Sequence, residues 1–156
     1  MIVLLIYCTI LLQETILLNG LWNLHNPNNT ININATVPGF IQTDLLDNNI
    51  IKDPFLNDYE NHSEWVEYED WIYTHTFHLS HASLAAKKHI LIFSGIDTIA
   101  TIKFNNQTFD ANNMFREWRY DVSESIAQNN TLTVTIKSPL NYSITQMSNY
   151  PYRIPV

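Results

Sequence analysis

The sequence has 156 residues, of which 46% are hydrophobic, 12% aromatic and 15% charged, a composition that indicates a globular protein and excludes a disordered one. A chain of this length forms one domain and buries about 70% of the surface of its unfolded state. The net charge is −7 and the 8 lysines and arginines are scattered. This excludes the clustered cationic face that nucleic acids and anionic membranes require.

The N-terminus carries an apolar run that is broken only at Thr9 and ends at Gln13 and Glu14. As a helix this run would be about 18 Å long, too short for a hydrocarbon core of about 30 Å, so no membrane span is predicted. We predict a signal peptide at residues 1–14 and a domain at residues 15–156. The alternative is a buried first strand. The sole cysteine, Cys8, lies inside the run, so the mature domain is expected to lack disulfides.

Sequons of the form N-x-S/T favour passage through the secretory pathway. We predict N-glycosylation at the six asparagines that begin them, Asn28, Asn34, Asn61, Asn106, Asn129 and Asn141.

The first strands are predicted from apolar runs and from period-two alternation. Ile16–Leu24 is apolar and is interrupted at Asn19 and Gly20. Further on, one parity holds the larger side chains, Trp71, Tyr73, His75, Phe77 and Leu79. This alternation predicts a half-buried strand with one face in the core.

Later strands follow the same logic. His89–Ser94 is a continuous apolar run ended by Gly95, which predicts a strand buried on both faces. Ile99–Phe104 alternates and is followed by a turn at Asn105 and Asn106, because asparagine tolerates positive φ. A last strand alternates with threonines through its apolar residues Leu132, Val134 and Ile136.

Only short helices are predicted, at Phe40–Leu46 and Ser123–Ala127. Many short strands separated by turns indicate an all-β fold, an antiparallel sandwich or barrel.

Metal sites are weighed at two clusters. Asp58–Asp70 carries six carboxylates, which suggests either Ca²⁺ binding or a solvated acidic loop with Trp65 and Trp71 turned inward, and we favour the loop. The histidines His75, His78 and His81 are spaced three apart, but residues three apart on a strand face opposite sides. A tetrahedral zinc site needs converging ligands, so no metal is predicted.

Catalytic groups are not singled out by the sequence. Glycoside hydrolysis needs two carboxyl groups flanking the bond, and the candidates are Glu64, Glu67, Glu117 and Asp121. No local context favours any pair, so no catalytic residue is assigned. A chain with 3 glycines has no phosphate-binding loop, and no cofactor is predicted.

Several motifs, in order along nearly the whole chain, resemble the N-terminal domain of β-mannosidases, which belong to glycoside hydrolase family 2. They are Asn19–Trp22, Val37–Gly39, Asp44–Leu46, Ile50–Pro54, Asp70–Tyr73, Gly95–Ala100, Asn112–Phe115, Tyr120–Val122 and Tyr150–Pro155.

This resemblance implies a jelly-roll β-sandwich of the galactose-binding-like type. In the family that domain precedes an immunoglobulin-like domain and a (β/α)8 barrel, which would be partners of this chain and which hold the catalytic glutamates. The family removes terminal β-linked mannose from oligosaccharides, in lysosomes in animals, so a lysosomal or secreted location is expected. A barrel takes about 250 residues, so the catalytic glutamates are not expected here and no hydrolysis is predicted.

The resemblance also gives roles to single residues. Trp71 and Tyr73 are expected to anchor the core, with Trp118 as a further motif residue. Gly95 is expected where a side chain would crowd, and Asp97 in a local turn. Asn113 is predicted to lie on a loop near the active-site mouth of a full enzyme, and the alternative is that this loop only packs against its own domain.

Two other functions stay open. One is a free-standing carbohydrate-binding module, with Trp118 or Tyr152 as a stacking platform for mannose-containing oligosaccharides. The other is a secreted domain that recognises protein through an apolar patch.

Overall fold

A computed structural model describes residues 2–7 and 14–151, with the backbone alone described for residues 2–7. Its strands are β1 (Ile2–Tyr7), β2 (Glu14–Leu17), β3 (Gly20–His25), β4 (Asn32–Val37), β5 (Trp71–His78), β6 (Lys88–Phe93), β7 (Ala100–Phe104), β8 (Gln107–Ala111), β9 (Trp118–Asp121) and β10 (Asn129–Ile136). The helices are α1 (Ile41–Asp47), α2 (Tyr59–Ser63), α3 (His81–Leu84) and α4 (Pro139–Met147), with a 3₁₀ turn at Glu64–Tyr68.

The strands form two antiparallel sheets. The 4-stranded sheet has the order β2-β1-β6-β9, and the 6-stranded sheet has the order β4-β3-β5-β10-β7-β8. The predicted all-β antiparallel sandwich is confirmed. Within the described residues, no helix has the length and apolar character needed to cross a bilayer.

The core lies between the sheets and consists of the alternate strand residues that the sequence pattern indicates. From β5 it takes Trp71 and Tyr73, and from β6 it takes Leu91 and Phe93. The Trp71 indole N–H donates to the Val66 carbonyl oxygen at 2.9 Å, so its one polar group is paired although the ring is buried. Trp71 and Tyr73 are therefore both buried members of the core, at 2% and 7% exposure.

The N-terminal segment forms a strand in this structure. Ile2–Tyr7 pairs with β6 on one side and with β2 on the other, which makes it an internal strand of the smaller sheet. The signal peptide stays a prediction. Cys8 and Tyr152 lie outside the described residues.

One predicted helix is confirmed and one is wrong. The helix expected at Phe40–Leu46 is present as α1. The helix expected at Ser123–Ala127 is a single turn, in which the Ser125 and Ile126 amides both donate to the Val122 carbonyl oxygen. The turn cannot propagate, because the Asn130 side chain holds both the N–H and the C=O of Ala127.

Candidate functional site at one end of the sandwich

Loops from both sheets meet at one end of the sandwich. In the larger sheet, Ile136 at the end of β10 pairs with Trp71 at the start of β5 and with Ala100 at the start of β7. In the smaller sheet, Phe93 at the end of β6 pairs with Trp118 at the start of β9. This end, which we call the docking end, therefore gathers residues 94–99 and 112–117, the 3₁₀ turn and α4.

The loop of residues 112–117 is held in shape by Asn113. Its side-chain oxygen accepts the Phe115 amide N–H at 2.8 Å, and its carbonyl oxygen accepts the Trp118 indole N–H at 3.0 Å. Phe115 follows with 88% of its surface exposed and Met114 with 40%. The loop thus presents an apolar side chain to solvent from a defined backbone position.

The neighbouring loop supports this one. A Cβ placed on Gly95 would lie 3.2 Å from the Met114 carbonyl oxygen, so glycine allows the close approach of the two loops, as expected. The Thr98 hydroxyl donates to the Asp97 carboxylate, a bond between side chains, so the side-chain-to-backbone turn expected at Asp97 stays a prediction. It also lies 3.9 Å from the Met114 sulfur.

Trp118 begins a row of stacked aromatic rings, and a cationic side chain lies over its first ring. The Arg116 guanidinium lies 4.3 Å from the Trp118 ring centroid, a cation–π distance. The Tyr120 ring is nearly parallel to that of Trp118 at 5°, and the Phe109 ring stacks 4.6 Å from it. Burial and the nearby Asp110 charge raise the pKa of Tyr120 to about 12.

A polar cluster ties the other side of the docking end together. Asp70 accepts from the Lys137 ammonium at 3.0 Å and from the Ser138 amide at 2.8 Å. The buried Ser138 hydroxyl donates to the Glu67 carbonyl oxygen at 2.6 Å and accepts the Asn141 amide N–H at 3.0 Å. These bonds fix α4 against the 3₁₀ turn that precedes β5.

A buried carboxylate lies away from this end. Asp44 on α1 accepts the Thr36 amide N–H at 2.8 Å and the Tyr73 hydroxyl at 3.2 Å. Burial raises the pKa of Asp44, although both hydrogen bonds lower it. Burial and the Asp44 charge together raise the pKa of Tyr73. This pair joins α1 to the core and has no access to the docking-end loops.

Two of the four candidate catalytic carboxylates are held by separate partners. Glu117 contacts the Arg119 guanidinium at 2.5 Å. Asp121 contacts Lys88 at 3.6 Å and accepts from Ser123, and these partners lower its pKa, the Ser123 bonds most strongly. Glu64 and Glu67 lie on the 3₁₀ turn. No pair is arranged around a common cavity in the described part of the chain.

The metal candidates do not converge either. His75 stacks on Trp22 at 4.9 Å, whereas the His78 imidazole contacts the Asn129 side chain at 3.0 Å. His81 begins α3. Between residues 14 and 151, no group of three His, Cys, Asp or Glu side chains is placed to hold a metal ion. The acidic segment forms α2 and the 3₁₀ turn, with Trp71 buried and Trp65 36% exposed.

All six sequon asparagines are exposed. Five of them leave the side-chain nitrogen without a bond to a backbone carbonyl. Asn141 is different, because its side-chain nitrogen donates to the Tyr68 carbonyl oxygen at 2.6 Å.

Cavities are small or open. The more enclosed one has a volume of about 150 Å³, below the roughly 300 Å³ at which ligand pockets begin. Its lining is Ile50, Ile51, Lys52, Tyr59, His62, Ser63 and Trp65. A shallow depression around Phe77 and Asn130 lies at the opposite end of β5.

Sequence reasoning missed the strands β4, β8 and β9, the helix α4 and the buried role of Asp44. The signal for α4 was present, since Ser138 caps its first turn and Pro139 occupies its first position. The burial of Asp44 depends on Tyr73, which lies 29 residues away in sequence, and no local pattern indicates it.

Comparison with known proteins agrees with this architecture. A family model described as glycosyl hydrolase 2 galactose-binding domain-like matches residues 22–156. β-Mannosidase of Rattus norvegicus is 31% identical over 140 residues, which is 88% of this chain and 16% of that protein. β-Mannosidase of Bos taurus is 32% identical over 130 residues, or 83% of this chain and 15% of that protein.

Solved structures give the same result. The β-D-mannosidase of Dictyoglomus thermophilum superposes with a TM-score of 0.87 at 33% identity, covering 91% of this chain and 18% of that one. A β-glucuronidase of Ruminococcus gnavus, with a TM-score of 0.56 and 20% identity over 78% of this chain and 20% of its own, shares the fold alone. The chain thus spans about a sixth of the length of the curated relatives that it matches.

Proposed function

We propose that this chain, which belongs to the glycosyl hydrolase 2 galactose-binding-domain-like family, is the non-catalytic scaffold domain of a β-mannosidase. Its relatives of that name are about six times longer, which leaves room for catalytic domains elsewhere in them. Two of the carboxylates that could perform hydrolysis here are bound to separate partners, Glu117 to Arg119 and Asp121 to Lys88. The partners of this domain would be the immunoglobulin-like domain and the (β/α)8 barrel of such an enzyme.

One observation carries this proposal, the exposed apolar loop at the docking end. An 88% exposed phenylalanine on a loop fixed by hydrogen bonds loses little conformational entropy when a partner covers it. We place Phe115 against the catalytic barrel and give Asn113 a positioning role, since its side chain holds the Phe115 amide. The loop then lies beside the mouth of the active site.

The test uses a full-length enzyme that carries this domain. Asn113→Ala removes the acceptor for the Phe115 amide and should raise KM for a β-mannoside with a smaller effect on kcat. Asn113→Asp keeps that acceptor and should restore KM. Asn112→Ala is the matched control on the same loop, and unchanged kinetics for Asn113→Ala would contradict the positioning role.

The chain by itself should release no nitrophenol from nitrophenyl β-mannoside above a buffer blank. Turnover that survives repurification would refute the scaffold function.

A carbohydrate-binding module is the second candidate, because the Trp118 and Tyr120 rings are nearly parallel and half-buried. Arg116 covers the Trp118 face that a sugar would need, which favours the scaffold. Calorimetric titration of the chain with mannose or a β-linked mannose oligosaccharide separates the two. Heat of binding that disappears in Trp118→Ala would favour the module.

A secretory and lysosomal route fits the exposure of all six sequon asparagines. Expression through a secretory pathway, followed by removal of N-glycans, should lower the apparent mass of the chain. We expect the least occupancy at Asn141, whose side-chain nitrogen is bonded to Tyr68. A protein that emerges without glycans would contradict this route.

A further inference from the structure

Strand β6 is built as an internal strand of its sheet. Five of its six residues are buried, and successive side chains of a strand point to opposite faces, so both faces of β6 are covered. Leu91 and Phe93 lie in the core between the sheets, whereas Ile90 and Ile92 belong to the other face and are buried as well. Such a strand needs a hydrogen-bonded neighbour on each edge.

The direction of each β6 backbone group follows from His89. Its carbonyl oxygen accepts the Val122 amide N–H at 3.0 Å, and its own N–H donates to the Ser123 hydroxyl at 2.9 Å. Both backbone groups of His89 therefore point to the edge of β6 that pairs with β9. Backbone groups of successive residues in a strand point to opposite edges. Ile90 and Ile92 therefore direct their N–H and C=O groups to the other edge.

In this chain that other edge is filled by β1. Leu5 lies opposite Ile90, and Val3 lies opposite Ile92, in antiparallel register. Opposed residues whose backbone groups face each other form the hydrogen-bonded pairs of an antiparallel ladder. Leu4 then directs its groups the other way, toward its partner Ile16 on β2.

The family match covers β6 and β9 but not β1, because it begins at residue 22. We propose that this edge of β6 is a strand-acceptor site for an extended apolar segment of the same polypeptide from outside residues 22–156, and that Ile2–Tyr7 is that segment in this chain. The added segment satisfies the backbone groups of Ile90 and Ile92 that point to this edge and that otherwise have no partner there. This is β-strand addition, in which backbone bonds supply affinity.

The inference goes beyond the scaffold function and has a consequence for maturation. Removal of residues 1–14 as a signal peptide would open the acceptor. An open apolar edge invites pairing with other chains, so the mature domain must receive another strand to stay monomeric.

The first test uses two proline variants of the full chain. Leu5→Pro removes an N–H that faces Ile90, whereas the matched control Leu4→Pro removes one that faces β2. Hydrogen exchange of the Ile90 and Ile92 amides should be about tenfold faster in Leu5→Pro than in Leu4→Pro, while Leu91 changes little. Equal exchange at Ile90 in both variants would overturn the proposal.

The second test supplies the strand from outside. A chain that begins at Glu14 is refolded with and without a peptide of residues 2–7 that carries terminal lysines for solubility, and a scrambled peptide is the control. The proposal expects soluble monomer with protected Ile90 and Ile92 amides only with the native peptide. Three results would overturn the proposal. The shortened chain could stay monomeric with protected Ile90 and Ile92 amides when no peptide is present. It could instead protect those amides by dimerising, or the native peptide could fail to restore protection.

Discussion

Replacing Asp44 tests whether the buried carboxylate on α1 stabilises the domain. In Asp44→Ala the hydroxyl of Tyr73, a residue 7% exposed, loses its acceptor, which costs about 1–3 kcal/mol for a buried unsatisfied group. The Thr36 amide also loses its acceptor, but Thr36 is exposed and water can replace part of that bond, so the loss is about 0.5–1.5 kcal/mol. The free energy of unfolding should fall by about 2–4 kcal/mol.

Asp44→Asn separates shape from charge. The amide oxygen can still accept the Thr36 N–H, and the amide nitrogen can donate to the Tyr73 oxygen, which accepts as well as donates. We expect a loss below about 1 kcal/mol near neutral pH.

The pH dependence has a definite sign. Burial raises the pKa of Asp44 above its ordinary value of 3.8, so the native state holds the proton more tightly than the unfolded chain. The stability that this group contributes is full below the unfolded value of 3.8 and is lost as pH rises through the native pKa. The wild-type advantage over Asp44→Asn should therefore shrink as pH rises from 3.8 through the native pKa of Asp44.

Urea unfolding followed by tryptophan fluorescence across this pH range measures the effect. Asp47→Asn is the control, because Asp47 is exposed on the same helix and makes neither bond. Its negative charge raises the pKa of Asp44, so the control should slightly weaken the pH effect. Parallel profiles for wild type and Asp44→Asn, or an advantage that grows with pH, would refute the reasoning.

Three further predictions concern stability and are read by the same unfolding assay. Trp71→Ala should lower the free energy of unfolding by about 3–5 kcal/mol because the ring is buried. Trp65→Ala, at a residue that is 36% exposed, should lower it far less, and equal losses would contradict the core assignment. Ser138→Ala should cost about 1–2 kcal/mol, because α4 loses its cap, and faster amide exchange should be confined to α4 and the 3₁₀ turn. Asn105→Gly loses the side-chain bonds but can still adopt the backbone φ of 49°. It should therefore lower the free energy of unfolding less than Asn105→Ala does. The reverse order would show that the backbone angle is unimportant.

Strands β5 and β6 were predictable because their patterns are local, whereas β4, β8 and β9 were not predicted. The alternation through Trp71 and Tyr73 and the apolar run of β6 each identify a buried face within one segment. The turn at Ser123–Ala127 was mistaken for a helix because its termination depends on Asn130, whose side chain replaces helical partners of Ala127. Side-chain competition of this kind does not alter hydrophobic periodicity.

The candidate site was predictable only in part. The sequence identified Asn113 as a loop residue but not its bond to the Phe115 amide, because amide geometry depends on the loop backbone. The link between Asp70 and Ser138 joins residues 68 apart in sequence, so no window of sequence contains it. The pairing of β1 with β6 is likewise non-local, and it competes with a signal-peptide pattern in the same residues.

The strand-acceptor edge of β6 and the exposed loop of residues 112–117 come together at one residue of β6. Phe93 pairs with Trp118 on one edge, and the Trp118 indole is held by the carbonyl of Asn113 in the exposed loop. On its other edge Phe93 pairs with Ile2, the first residue of the added strand β1. A strand that fills the acceptor therefore ends beside the loop that we place against the barrel. Strand addition and docking would then stabilise the same end of the sandwich, because the fully buried Phe93 lies between the added strand and the strand that follows the exposed loop.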